Sequence, residues 1–121
     1  MAEPNPFVER AVALMTPLGP VRARAMFGGW GVFLDSVMLG LIASDALYFR
    51  VDEETKDEFA AAGSQPFVYE AKGKRMEMAY WLAPEGSLED SDTLLPWAEL
   101  GLAAAKRVKA KRPKKKGKKT G

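Results

Sequence analysis

Met26–Val51, MFGGWGVFLDSVMLGLIASDALYFRV, is the stretch on which the fold turns. Its β-branched, aromatic and aliphatic runs are interrupted by Gly28-Gly29, Asp35-Ser36 and Ser44-Asp45, residues that turn a backbone at low cost, so it reads as consecutive hairpins. The run 37–43 is almost wholly apolar, as expected of a central strand covered on both faces. In Leu47–Val51 the residues alternate, with Leu47, Phe49 and Val51 inward and Tyr48 and Arg50 outward. The segment Gly28-Gly29-Trp30-Gly31 precedes strand-like residues, so no helix N-terminus follows to hold a pyrophosphate. Its glycines fit a turn, a bulge or a close approach of another backbone.

Upstream, Asn5-Pro6 is a helix start: Asn caps, and Pro suits the first helical position. Phe7, Ala11, Leu14, Met15 and Leu18 follow at helical spacing and predict a core-facing stripe that ends at Gly19-Pro20. In 21–27, Val21, Ala23, Ala25 and Phe27 share one strand face and Arg22, Arg24 and Met26 the other. The plainer reading of Arg22 and Arg24 is a solvated face pairing with nearby acids, preferred because no phosphate loop accompanies them. The sharper one is a contact to an anion or a partner.

Downstream, Asp52 reads as a helix cap, Phe59 as the anchor of a short helix and Gly63 as its stop. The acids Asp52, Glu53, Glu54, Asp57 and Glu58 point in different directions along a helix start and do not make a metal site. Two strands, 66–70 and 75–82, flank a turn at Lys72-Gly73-Lys74. Met76, Met78, Tyr80 and Leu82 form the expected core face, with Trp81 opposite, where either the last helix or a partner covers it. The last helix is expected to be capped near Thr93, which keeps Pro96 in its first turn.

Of the chain's 121 residues, none is Cys or His, which removes disulfides, thiolate metal sites and the commonest general base. Neither a signal peptide nor a membrane anchor is expected at the N-terminus, and the chain reads as cytoplasmic. Charge is divided along it: all 16 acids lie at or before Glu99, against eight basic residues before Lys106, a body of −8. The remaining ten cations, Lys106, Arg107, Lys109, Lys111, Arg112, Lys114, Lys115, Lys116, Lys118 and Lys119, form an acid-free +10 segment. The expectation is therefore a domain over 1–105 and a basic, disordered tail over 106–121 that contacts DNA or RNA through phosphates.

Several motifs resemble the TfoX/Sxy N-terminal domain family in order: 26–32 (MFGGWGV), 47–52 (LYFRVD), 67–69 (FVY), 78–81 (MAYW) ahead of Pro84, and Trp97-Ala98 ahead of Ala103-Ala104-Ala105. One departure is Ser36, where such sequences often carry Gly in an Asp-Gly turn. The resemblance implies an α+β, two-layer domain akin to secretion-chaperone-like folds, with an antiparallel sheet of five to six strands and N- and C-terminal helices. It also implies a tendency to pair and a regulatory role in transcription, exerted with other factors; the family takes its name from regulators of competence genes. Full-length members carry a second C-terminal domain, where this sequence has its lysine-rich segment.

No catalytic residue, cofactor or metal is expected. Tyr48, Tyr69 and Tyr80 are candidate acids and Asp35 or Glu77 a candidate base, but no nucleophile stands beside a base. A pocket gathering Arg22, Arg24 and a carboxylate would argue for an enzyme. The alternative to nucleic-acid contact is a protein-interaction module, a homodimer included, that associates through a sheet edge or apolar surface near Trp30 or Trp81.

Overall fold

The computed structural model describes residues 5–26 and 29–111. Phe27, Gly28 and the cations from Arg112 onward lie outside these residues, as do the side chains of Tyr69, Met76 and Lys111. Helix α1 (Pro6–Leu14) starts at Asn5, whose side chain accepts from the N–H groups of Phe7 and Val8, and a single 3-10 turn follows it. Strands β1 (Arg22–Met26), β2 (Gly29–Leu34), β3 (Val37–Ala43) and β4 (Ala46–Arg50) form an antiparallel meander. After helix α2 (Lys56–Ala61), the hairpin of β5 (Pro66–Ala71) and β6 (Lys74–Leu82) joins with β6 beside β4. Helix α3 (Ser91–Lys111) closes the described chain, and the sheet order is β1-β2-β3-β4-β6-β5.

Three two-residue turns set the register. Asp35-Ser36, Ser44-Asp45 and Lys72-Gly73 all have positive φ at both positions, and their twist matches that of the flanking strands. Left-handed backbone strains a residue with a Cβ, and at Ser36 (φ 69) glycine would relieve it. Ser36→Gly should therefore raise stability by about 0.5 to 1 kcal/mol, read as a higher urea midpoint at unchanged slope.

All three helices pack on one side of the sheet. Val8, Ala11 and Met15 from α1 and its end, Phe59 from α2, and Leu94 and Ala98 from α3 share one core with Val32, Leu34, Leu39, Ile42, Leu47, Phe49 and Val51. The helical layer comes close at Gly101, where an added Cβ would lie 3.0 Å from the Leu39 carbonyl oxygen and 3.1 Å from Phe49 Cβ. A second close approach is at Gly29, where a Cβ would collide with the Ile42 carbonyl oxygen.

Four expectations are corrected. β3 is covered on one face only: Val37, Leu39, Gly40 and Ile42 are buried, but Met38 and Leu41 are half-exposed. The faces of β6 are reversed. Trp81 stands opposite buried Phe49 and packs on the core, so Tyr80 and Leu82 lie on the other face, where Leu82 is half-exposed but Tyr80 is buried, as expected, beside the last turns of α3. Arg75 and Glu77 share the Trp81 alternation, so the pattern points to the opposite face as the core; it misleads because the open face is itself apolar around Tyr48 and Leu82. α3 begins ahead of Thr93, because Asp90 Oδ1 accepts from Thr93 N–H at 2.8 Å, and Ser91 Oγ donates to the Leu14 carbonyl. Pro96 thus sits inside the helix, held between fully buried Leu94 and Ala98. Finally, α3 runs to Lys111, so 106–111 of the expected tail is helix.

Candidate functional site

Helices on one side leave most of the other side of the sheet open, except where the last turns of α3 reach Arg50 and Tyr80. Alternation along each strand, together with a bulge at Leu39 that shifts the register of β3, puts Arg22 and Arg24 of β1, Phe33 of β2, Met38 and Leu41 of β3, Tyr48 and Arg50 of β4, and Tyr80 and Leu82 of β6 on that face. Arg22 stands directly opposite Phe33, Phe33 opposite Met38, and Arg50 opposite Tyr80. The Arg24 guanidinium carbon lies 5.9 Å from the Phe33 ring centre, and that of Arg50 5.4 Å from the Tyr80 ring centre. Both are within the range where a ring's negative face attracts a cation. Further along, Phe67 meets Tyr48 edge-on at 4.9 Å, beside Leu41 and Leu82. The open face thus has a cationic zone and an apolar one.

In the cationic zone the arginines form no ion pair among the described residues. Among the described residues the ion pairs are Arg75 with Glu70 and Arg107 with Asp52 and Glu54, so Arg22, Arg24 and Arg50 have no carboxylate partner in a body rich in carboxylates. Among the described residues the expected pairing of Arg22 and Arg24 with nearby acids is therefore not formed. Arg50 is half-buried, and its Nε is cut off from solvent without a hydrogen-bond partner. It borders a cleft of about 240 Å³ where the last turns of α3 pass the β2–β3 turn, lined also by Phe33, Ser36, Met38, Tyr80, Val108 and Lys109.

A shallower groove of about 520 Å³ shares Phe33 and Ser36 with that cleft and adds Arg22, Arg24 and Asp35. It meets the condition set above for an enzyme, a carboxylate beside both arginines. Asp35 and Ser36 are exposed turn residues there, and among the described residues neither bonds to the other or to the arginines.

The remaining candidates fall elsewhere. Trp30 and Trp81 pack against the core from the helical side and do not join Arg22 and Arg24. Lys106 and Lys109 are exposed on α3, whereas Arg107 is engaged: its Nε donates to Asp52 Oδ2 at 2.6 Å and its Nη2 to Oδ1 at 3.1 Å. Asp52 Oδ1 also accepts from the backbone N–H groups of Glu54 and Thr55, so one carboxylate caps the turn into α2 and ties down the end of α3. The Arg107 guanidinium holds the Asp52 carboxyl at about 2. Arg107 is among the expected phosphate contacts; its partner in the fold is 55 residues away, and no local signal marks it. Lys111 ends the helix, and Arg112, Lys114, Lys115, Lys116, Lys118 and Lys119 lie outside the described residues.

Among the described residues no three acidic side chains converge as metal ligands, and no helix is long and apolar enough to cross a membrane. The model of the family described as the TfoX N-terminal domain matches residues 13–105, from within α1 to the last core contacts of α3. No curated protein gives a significant match. The matched range holds Arg22, Arg24 and Arg50 and stops short of Arg107 and Lys109.

Proposed function

The chain belongs to the TfoX N-terminal domain family, and from that premise we propose that it is a non-catalytic regulatory module acting in transcription through protein contacts. In this reading it touches nucleic acid through its cationic C-terminal segment, without reading base sequence. The observation that carries the reading is the division of charge along α3. The helix is rooted by fully buried Leu94, Ala98 and Ala104 and locked by Arg107 on Asp52, and from Lys106 to the end of the chain there are ten cations and no acid. Exposed ion pairs contribute only about 0 to 1 kcal/mol each, so the acidic body competes poorly with a dense polyphosphate for these lysines. The segment contains no aromatic residue to stack on a base, which fits sequence-independent contact.

The test is fluorescence anisotropy of labelled duplex DNA against the full chain and a version ending at Lys111, between about 50 and about 200 mM salt. A cut at Ala105 would also remove Arg107 from Asp52 and confound charge with structure. Loss of the six cations beyond Lys111 should flatten the slope of log affinity against log salt by up to about 5. Equal, negligible binding by both would sink the proposal.

The apolar zone of the open face, Leu41, Tyr48, Phe67 and Leu82, all half-exposed, favours a second reading. There the domain is an association module for a protein partner or a second copy. A shortened chain that stays dimeric, with DNA affinity unchanged by the cut, would favour it.

A further inference from the structure

We infer that the cleft between the last turns of α3 and the open sheet face is a phosphate site for a nucleic-acid strand, with Arg50 its central donor and Lys109 its second cation. The inference rests on the nucleic-acid reading above and adds to it a fixed site on the folded body. Arg50 is the first ground. A guanidinium nitrogen removed from water without a partner is costly, and an anion in the cleft would satisfy it. Tyr80 lies beneath the guanidinium, and Met38 and Val108 line the cleft, so the surroundings of the buried Nε are largely apolar and strengthen any charge-assisted bond made there. Guanidinium is also the group best matched to phosphate oxygens.

Size and continuity identify the occupant. At about 240 Å³ the cleft falls below the range of roughly 300 to 1,000 Å³ usual for drug-sized ligands, so it suits a small oxyanionic group. The groove that shares Phe33 and Ser36 with it presents Arg22 and Arg24, two cations against the one exposed carboxylate of Asp35. Four cations, Arg22, Arg24, Arg50 and Lys109, thus follow one path around the Phe33 ring. That fits a chain of phosphates with a base against the ring better than a lone carboxylate.

Side-chain NMR of the full chain tests this. The Arg50 Nε–Hε signal, identified by its loss in Arg50→Lys, is followed during titration with inorganic phosphate and with oligothymidylate. It should move downfield with both, at lower concentration with the oligonucleotide. Arg50→Lys should weaken oligothymidylate binding about tenfold. Lys109→Gln, on an exposed helical position that leaves folding intact, should weaken it about threefold and lower the salt slope by about one. A shift with phosphate and none with the oligonucleotide would overturn the strand as occupant. Oligonucleotide binding with the Arg50 signal unmoved would overturn the cleft and leave the basic segment as the contact. No binding of either probe would overturn both.

Discussion

Phe49→Ala should cost about 3 to 5 kcal/mol of folding free energy, a large part of the roughly 5 to 15 kcal/mol that holds a domain together. Phe49 is fully buried at the point where the two layers come closest. Its strand neighbours are Gly40 on one side and Trp81 on the other, and Gly101 of α3 lies over it. The Phe59 ring is 6.4 Å away, and Phe59 in turn meets Trp97 at 4.9 Å. Removing Phe49 therefore takes a filler shared by β4, α2 and α3. The glycines on two sides have no side chain to swing into the gap, so relaxation is poor and the cavity stays. Tyr48→Ala, one residue along on the open face, is the control and should cost much less. Urea titrations of both decide it; near-equal losses would contradict a core confined to one face of the sheet.

That one-sidedness was only partly legible in the sequence. Turn chemistry is local, so the Asp35-Ser36 and Ser44-Asp45 hairpins, the Asn5 cap and the inward set Leu47, Phe49, Val51 could all be read directly. Which side of the sheet a helix covers is not local. In β6 the alternation sets Met78, Tyr80 and Leu82 against Arg75, Glu77 and Trp81 and so points away from Trp81; it misleads because the open face is itself apolar around Tyr48, Phe67 and Leu82. The start of α3 was ambiguous for a similar reason: Asp90, Ser91, Asp92 and Thr93 are all cap residues, and Ser91's bond to the Leu14 carbonyl, 77 residues away, helps to anchor the start. At the candidate site, the outward direction of Arg22, Arg24 and Arg50 followed from alternation. Their meeting around Phe33 depends on the strand order and on where α3 ends, neither of which spacing encodes.

Asp52 should be the most consequential charged residue in the body, and its effect should depend on pH. Its side chain is 12 % exposed and that of Arg107 30 %, and Arg107, hydrogen-bonded to it, lowers its pKa from 3.8 to about 2. A carboxyl whose folded value lies below its unfolded one stabilises the fold above the unfolded value, and that contribution disappears as pH falls from about 4 to about 2. The displacement corresponds to about 2 kcal/mol, trimmed to about 1 to 2 by solvent on the arginine side. Loss of the cap to the Glu54 and Thr55 N–H groups adds about 1 kcal/mol, so Asp52→Ala should cost about 2 to 3 kcal/mol at neutral pH. Stability measured from pH 7 down to pH 2 should fall less steeply below pH 4 in Asp52→Asn than in the parent, because the group that titrates there is gone. Glu54→Gln, at a side chain 65 % exposed and 3.4 Å from the same guanidinium, should change little. The consequence for function follows from position: Lys109 lies two residues beyond Arg107, so freeing Arg107 lets the end of α3 fray and carries Lys109 away from Arg50. Amide exchange in 107–111 should then quicken in Asp52→Asn, and protection unchanged from the parent would show that core contacts alone hold the helix end in place.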